Sequence, residues 1–236
     1  MKKLHLLIII MQGMIGISFS ACNGILENIY DNAKCDVSTN GFGFIEINDD
    51  SHSGTIYVHT EDYKKWTYVS LLHHTVDSTF IENESGNETP LGESGKLPEN
   101  WDFAIHRYDV KTNGGAVLET SMANMDEVMQ LTDLPQGAYA EDLKQTTDKI
   151  AIDMSGMMEG ILKYAKSDFN AILSKWLDVD KSQMPPIYTL SNRVYMLRLN
   201  DGSHAALLLE DFKNAKNVKG YMKVKYIYPV EHVIKK

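Results

Sequence analysis

A mainly β fold, a single antiparallel β domain with a small helical insertion, is what this sequence predicts. β-Branched and aromatic runs recur between Gly, Asn and Asp clusters. The last of these runs alternates cleanly between two faces, and apolar residues at helical spacing are confined to the middle of the chain.

The early strands are Phe42–Ile47 and Thr55–Val58, followed by Trp66–Leu72 and Trp101–His106. The segment Glu82–Asn100 is rich in Glu, Gly, Asn, Ser and Pro and reads as a surface loop. In the middle, Met122, Met125 and Met129 are spaced as on one helical face, which makes them core residues. Met158, Ile161, Leu162, Ala165, Phe169, Ile172, Leu173 and Trp176 follow the same period and predict a helix within 158–177, with Ser167 as an alternative cap. Arg193–Leu199 ends at the turn signal Asn200-Asp201-Gly202, so His204–Glu210 is its hairpin partner. The last strand sets Tyr221, Lys223, Lys225 and Ile227 on one face and Met222, Val224, Tyr226 and Tyr228 on the other, one buried and one solvated.

The domain proper is residues 41–236. Ahead of it, residues 1–21 read as a lipoprotein signal peptide: Lys2 and Lys3, a short apolar core, then Phe19-Ser20-Ala21 directly before Cys22. Cys22 is the expected lipidation site, and residues 22–40 are a polar tether to the membrane. Cleavage leaves only Cys22 and Cys35, so a disulfide framework is excluded and stability must come from an apolar core.

The chain carries 23 Lys plus Arg against 32 Asp plus Glu, and only three arginines, Arg107, Arg193 and Arg198. No basic patch for neutralising phosphates is visible, which argues against nucleic acid as a partner. No Gly-x-Ser-x-Gly elbow, His-Glu-x-x-His, phosphate loop or repeated Cys-x-x-Cys occurs, so an enzyme is the least favoured class. Arg107, Tyr108 and Asp109 are read as a structural strand with a buried charge-assisted pair, and His73-His74 as neighbours pointing to opposite faces.

Nine of the twelve methionines lie between Met122 and Met222, a stretch with no histidine from His106 to His204. Ser155-Gly156-Met157-Met158 and Ser182-Gln183-Met184-Pro185-Pro186 place methionines in turns rather than on apolar strands. Thioethers in turns suggest soft ligation of a metal or haem iron. Met196 and Met222 sit inside strands and read as core.

Several blocks together resemble the HmuY family, haem-binding lipoproteins of the Bacteroidetes. They are Trp101-Asp102-Phe103-Ala104-Ile105-His106-Arg107-Tyr108-Asp109-Val110, the earlier Asp62-Tyr63-Lys64-Lys65-Trp66-Thr67-Tyr68, and Tyr188-Thr189-Leu190-Ser191-Asn192-Arg193-Val194-Tyr195 running on to Tyr226-Ile227-Tyr228-Pro229-Val230. The resemblance spans residues 60–230 and implies an all-β, hand-like fold that grips haem b (iron protoporphyrin IX). It implies a haemophore-like protein, lipid-anchored in the outer membrane and surface-exposed or released, that takes haem, in some cases from host haemoproteins, and passes it to a TonB-dependent outer-membrane receptor. Two axial residues hold the iron in the family, histidines in one branch and methionines in others. Carried over to this chain, the first ligand falls in Met154-Ser155-Gly156-Met157-Met158-Glu159, with Met157 in first place and Met158 and Met154 in reserve. The second falls between Trp176-Leu177 and Tyr188, where Met184 stands; Lys181, near the histidine-branch position, is a poor haem ligand. Tyr164, Phe169, Ile187 and Tyr188 are candidate pocket walls. A Cu(I) carrier using the same sulfurs and a surface adhesin without haem are the alternatives.

Overall fold

The computed structural model describes residues 41–183 and 185–234. The strands in order are β1 (Gly43–Ile47), β2 (Ser53–His59), β3 (Lys65–Ser70), β4 (Thr75–Ile81), β5 (Glu88–Pro90), β6 (Phe103–His106), β7 (Asp109–Thr112) and β8 (Ala116–Glu119). The short helix α1 (Met125–Val128) separates these from β9 (Ala140–Glu141), β10 (Leu143–Asp153), β11 (Lys163–Phe169), β12 (Leu177–Asp180) and β13 (Ile187–Leu190). Then follow β14 (Tyr195–Arg198), β15 (His204–Lys213) and β16 (Lys219–Ile227). All pairings are antiparallel: a seven-stranded sheet in the order β1-β2-β16-β15-β14-β8-β9, a five-stranded sheet β5-β4-β3-β6-β7, and two separate hairpins, β10-β11 and β12-β13.

Period-two alternation explains how these parts stack. Val69 and Leu71, Phe103 and Ile105, Tyr195 and Leu197, and Met222, Val224 and Tyr226 come from both sheets and share one buried cluster. The intervening residues point the other way. Trp66, Tyr68 and Ala104 meet Ile150, Ile152 and Ala165, so the β10–β11 hairpin covers the outer face of the five-stranded sheet. Val194, Met196, Ala206 and Ile227 meet Met122, Val128 and Val230, so the segment around α1 covers part of the outer face of the other sheet. Asn124 caps α1, its side-chain oxygen accepting the Glu127 N–H at 3.0 Å. Thr60 Oγ1 donates to the Gly220 carbonyl at 3.2 Å across 160 residues of chain, beside the β2–β16 pairing.

The last strand alternates as its sequence indicates, with Met222, Val224 and Tyr226 buried and Lys225 exposed; Ile227, expected on the solvated face, is buried under the α1 segment. Met196 and Met222 are fully buried, whereas Met129 is 38% exposed at the end of α1. The helix expected within 158–177 does not form. That stretch holds a 3₁₀ turn at Met157–Glu159, the strand β11, and a second 3₁₀ turn at Leu173–Trp176; Ser167 lies in β11 and its carbonyl accepts the Thr146 hydroxyl. The segment Glu82–Asn100 is not wholly loop, because β5 pairs with Thr79–Ile81. The signal peptide, tether, Cys22, Cys35 and Met184 lie outside the described residues.

Candidate functional site

Two consecutive hairpins carry the turns singled out above, and one buried connector joins their roots. Asn170, fully buried, directly follows β11; its N–H donates to the Val110 carbonyl at 2.6 Å and its side-chain oxygen accepts the N–H groups of Ile172 and Leu173. Ser174 Oγ accepts the Val110 N–H at 2.9 Å, and Trp176, also fully buried, donates from Nε1 to the Tyr108 carbonyl at 2.8 Å. Thus β7 and the turn before it hold the end of the first hairpin and the beginning of the second.

The other root of the first hairpin is held by Asp142. Its carboxylate accepts the Thr112 N–H at 2.7 Å, the Thr112 hydroxyl at 2.9 Å and the Asn170 amide at 2.9 Å. Burial pushes the Asp142 carboxyl above its ordinary range, against the opposing pull of those three donors. Beyond it, β10 is mostly exposed from Leu143 to Lys149, then packs inward through Ile150 and Ile152.

The tip of this hairpin is shaped by its glycines. A Cβ on Gly156 would lie 2.7 Å from the Ile161 carbonyl oxygen, and Gly160 adopts φ +74°, in the left-handed region. Ile161 N–H donates to the Gly156 carbonyl at 2.8 Å, Met157 N–H to the Met154 carbonyl at 3.0 Å, and Ser155 N–H to Asp153 Oδ1 at 2.9 Å. The backbone closes on itself and turns its side chains outward. Met157 is 43% exposed, Met158 86% and Ile161 63%, while Met154 is half-buried. An exposed group of large apolar side chains on a tightly bonded turn is a surface suited to a ligand rather than a piece of core.

The second hairpin pairs Leu177 with Leu190 and Asp180 with Ile187, so its tip comprises residues 181–186. Leu177 is buried, and Val179, Tyr188 and Leu190 pack on the cluster between the sheets. Tyr188 stacks on Phe212 at 5.4 Å and meets Tyr108 edge-on at 5.6 Å. Of the four wall candidates, Tyr188 belongs to this aromatic group, Ile187 is 49% exposed beside the tip, Tyr164 is half-buried opposite Ala151, and Phe169 packs on the cluster under the first hairpin.

Other residues weighed from sequence take structural places. Arg107 has φ +55° in the β6–β7 turn, and its guanidinium donates to the carbonyls of Thr60 and Glu61 and lies over the rings of Tyr63 and Tyr108. Arg107 and Tyr108 therefore sit in a turn rather than a strand; the charge-assisted hydrogen bonds of Arg107 go to those carbonyls and, at 3.4 Å, to the Tyr108 hydroxyl, and no carboxylate among the described residues pairs with it. His106 is buried, with Nε2 2.7 Å from the Tyr63 carbonyl. His73 and His74 lie in the β3–β4 turn, not on a strand, and no group of three or more His, Cys, Asp or Glu placed to hold a metal ion occurs among the described residues. A cleft of about 690 Å³ between β4 and residues 91–100 includes none of the candidate ligands in its lining.

One buried site was not anticipated. Lys111 Nζ pairs with Glu88 at 2.8 Å and lies 4.3 Å from the Trp66 ring centroid, 5.0 Å from Tyr68 and 5.9 Å from Trp101. Glu88 also accepts the hydroxyls of Tyr68 and Thr79. Burial pushes the Lys111 ammonium below its ordinary range, and the Glu88 charge opposes that. Lys111 falls inside the block that starts at Trp101, but nothing local in the sequence marks its partner, 23 residues away.

The HmuY protein family model matches residues 62–226. Among solved structures, a candidate HmuY-like haem-binding protein from Bacteroides vulgatus is 50% identical, with a TM-score of 0.70, covering 80% of this chain and 98% of its own. A candidate lipoprotein from Bacteroides fragilis is 47% identical, with a TM-score of 0.73 and coverage of 82% and 98%. The apo HmuY analogue of Tannerella forsythia, at 23% identity and a TM-score of 0.58, shares the fold and covers 80% of this chain and 97% of its own. No curated protein matches the chain. On the family match and these two close structures, the chain belongs to the HmuY family.

Proposed function

We propose that this protein is a haem-binding lipoprotein that captures haem b between Met157 and Met184 and delivers it to a TonB-dependent outer-membrane receptor. The observation that carries the reading is the hairpin tip, where Gly156 and Gly160 fix a turn that presents Met157 and Met158 outward in a member of the HmuY family. The Bacteroides vulgatus relative, named as HmuY-like and haem-binding, supports it at 50% identity.

The donor set fits the group. A thioether is neutral and soft, so it favours ferrous over ferric iron, and it does not titrate near neutral pH. Met158 and Met154 flank Met157 as reserves in the same turn. Met184 enters through its place between β12 and β13. Cys22 would carry the lipid that anchors the protein to the outer membrane, with residues 22–40 as tether and residues 41–236 as the binding domain. Host haemoproteins are one source from which it would take haem.

The test is a haem titration of the mature domain by visible absorbance, oxidised and then reduced with dithionite, with Met157→Ala and Met184→Ala in parallel. A one-to-one complex whose low-spin ferrous bands sharpen on reduction and weaken in both variants is expected. Absence of a saturable Soret shift in either redox state rejects haem binding; binding unchanged in both variants rejects the ligand assignment.

A further inference from the structure

In a chain with a formal charge of −9, cations without carboxylate partners are informative, and three of them surround one aromatic group. Lys213 and Lys219 stand directly opposite each other where β15 pairs with β16. Like charges in cross-strand register repel and are ordinarily disfavoured. Neither lysine has a carboxylate oxygen within 4.0 Å among the described residues. The neighbouring carboxylate, Asp211, accepts the N–H groups of Phe212 and Lys213 at 2.7 and 3.1 Å instead.

Both ammonium groups lie against ring faces. Lys219 Nζ is 3.7 Å from the centroid of Tyr188, and Lys213 Nζ is 4.9 Å from that of Phe212. The two rings are stacked within 16° of parallel, Phe212 buried and Tyr188 half-buried, with Tyr108 edge-on to both, and they form a fixed aromatic base for the two ammonium groups. Arg107 lies over Tyr108 at 5.2 Å and adds a third positive charge to the same group. The Lys223–Glu210–Lys225 cluster on the same strand pair shows the contrast: there a carboxylate bridges both lysines, at 3.0 and 2.6 Å.

We infer that Lys213 and Lys219, held against the Tyr188–Phe212 ring pair, bind the two carboxylates on the edge of a flat tetrapyrrole. The inference rests on the proposed haem function and adds a recognition element that does not involve the iron. A dianionic edge between the lysines relieves their mutual repulsion through charge-assisted hydrogen bonds, and the ring contacts hold both ammonium groups in place for it. Tyr188 lies in β13, the strand that follows Met184 in sequence, and its contact with Lys219 ties the lysine pair to that hairpin.

The experiment uses the iron-free ligand, which takes methionine ligation out of the measurement. Protoporphyrin IX and its dimethyl ester are titrated into the mature domain by fluorescence, at low and high salt, from the same detergent dilution. The wild type should bind the diacid more tightly than the diester, and only diacid binding should weaken with salt. Lys213→Gln with Lys219→Gln should weaken the diacid about tenfold or more and leave the diester unchanged; the charge-conserving Lys213→Arg with Lys219→Arg should keep the affinity. Equal binding of diacid and diester to the wild type, or a Gln variant that changes both or neither, overturns the inference. If the Gln variant loses diacid selectivity while Met157→Ala and Met184→Ala leave haem binding intact, the subsite stands and the axial assignment falls. The reverse pattern sinks the subsite alone.

Discussion

Replacing Lys111 with methionine isolates the buried ion pair. Methionine fills most of the space of the lysine stem but leaves Glu88, whose side chain is 15% exposed, facing aromatic rings without its cation. Breaking a buried pair by removing one partner costs about 3–5 kcal/mol. Glu88 retains the Tyr68 and Thr79 hydroxyls as donors, so Lys111→Met should sit at the lower end, about 3 kcal/mol. Adding Glu88→Gln removes the stranded charge while its carbonyl still accepts from those hydroxyls. The double variant should return to within about 1 kcal/mol of wild type, a recovery of about 2 kcal/mol over Lys111→Met. Urea unfolding followed by tryptophan fluorescence reads this as a midpoint that falls and then recovers, with the slope unchanged. A double variant as unstable as Lys111→Met would refute the account, because the loss would then lie in packing or cation–π contact rather than in an uncompensated carboxylate.

Three further outcomes follow from the hairpin roots and tip. The Asp142 carboxyl titrates above its ordinary value of 3.8 in the folded protein, so between 3.8 and the raised value the folded state holds more protons and stability falls as pH rises. Asp142→Asn abolishes that term, so the wild type should gain stability relative to the variant as pH is lowered through this window; a difference independent of pH contradicts it. Gly156→Ala forces its Cβ against the Ile161 carbonyl, so hydrogen exchange at Ile161 should accelerate and haem affinity should fall while the global unfolding midpoint shifts by about 1 kcal/mol or less. Unchanged exchange there would show that the turn tolerates the methyl group. Trp176→Phe strands the Tyr108 carbonyl and leaves part of the indole volume empty, which should cost about 2–4 kcal/mol in chemical denaturation; a loss under 1 kcal/mol would mean that the connector is not a fixed joint.

The final strand was readable in the sequence because Met222, Val224 and Tyr226 repeat at the strand period beside half-exposed or exposed lysines. The segment after Met158 misled for a definable reason. Ile161, Ala165, Phe169 and Leu173 are spaced by four, and four residues bring a side chain back to the same side of a strand as well as of a helix. The deciding signals were Gly160, left-handed at the turn, and Asn170, whose side chain satisfies backbone N–H groups that a helix would bond internally. The turn location of Met157 was legible because glycine brackets it, whereas the Lys111 cage depends on Glu88 in a stretch whose polar composition resembles loop. Long-range pairings of this kind leave no local trace. The opposed lysines were equally hidden, since their register exists only once β15 and β16 pair.

Besides β1, the neighbour of β2 in the seven-stranded sheet is β16, with Val58 opposite Met222 and Ile56 opposite Val224. An early strand therefore waits for the last one before its edge is covered. A nascent chain emerging from a ribosome or a translocon can pair β1 with β2 and assemble the smaller sheet, yet it exposes the inner faces of Ile56 and Val58 until residue 227 arrives. The larger sheet therefore cannot close before β16 is made, a non-local pairing of the kind that slows folding, and any product truncated before β16 presents an open strand edge to its neighbours. Premature termination would thus yield aggregation or proteolysis rather than a shorter working protein.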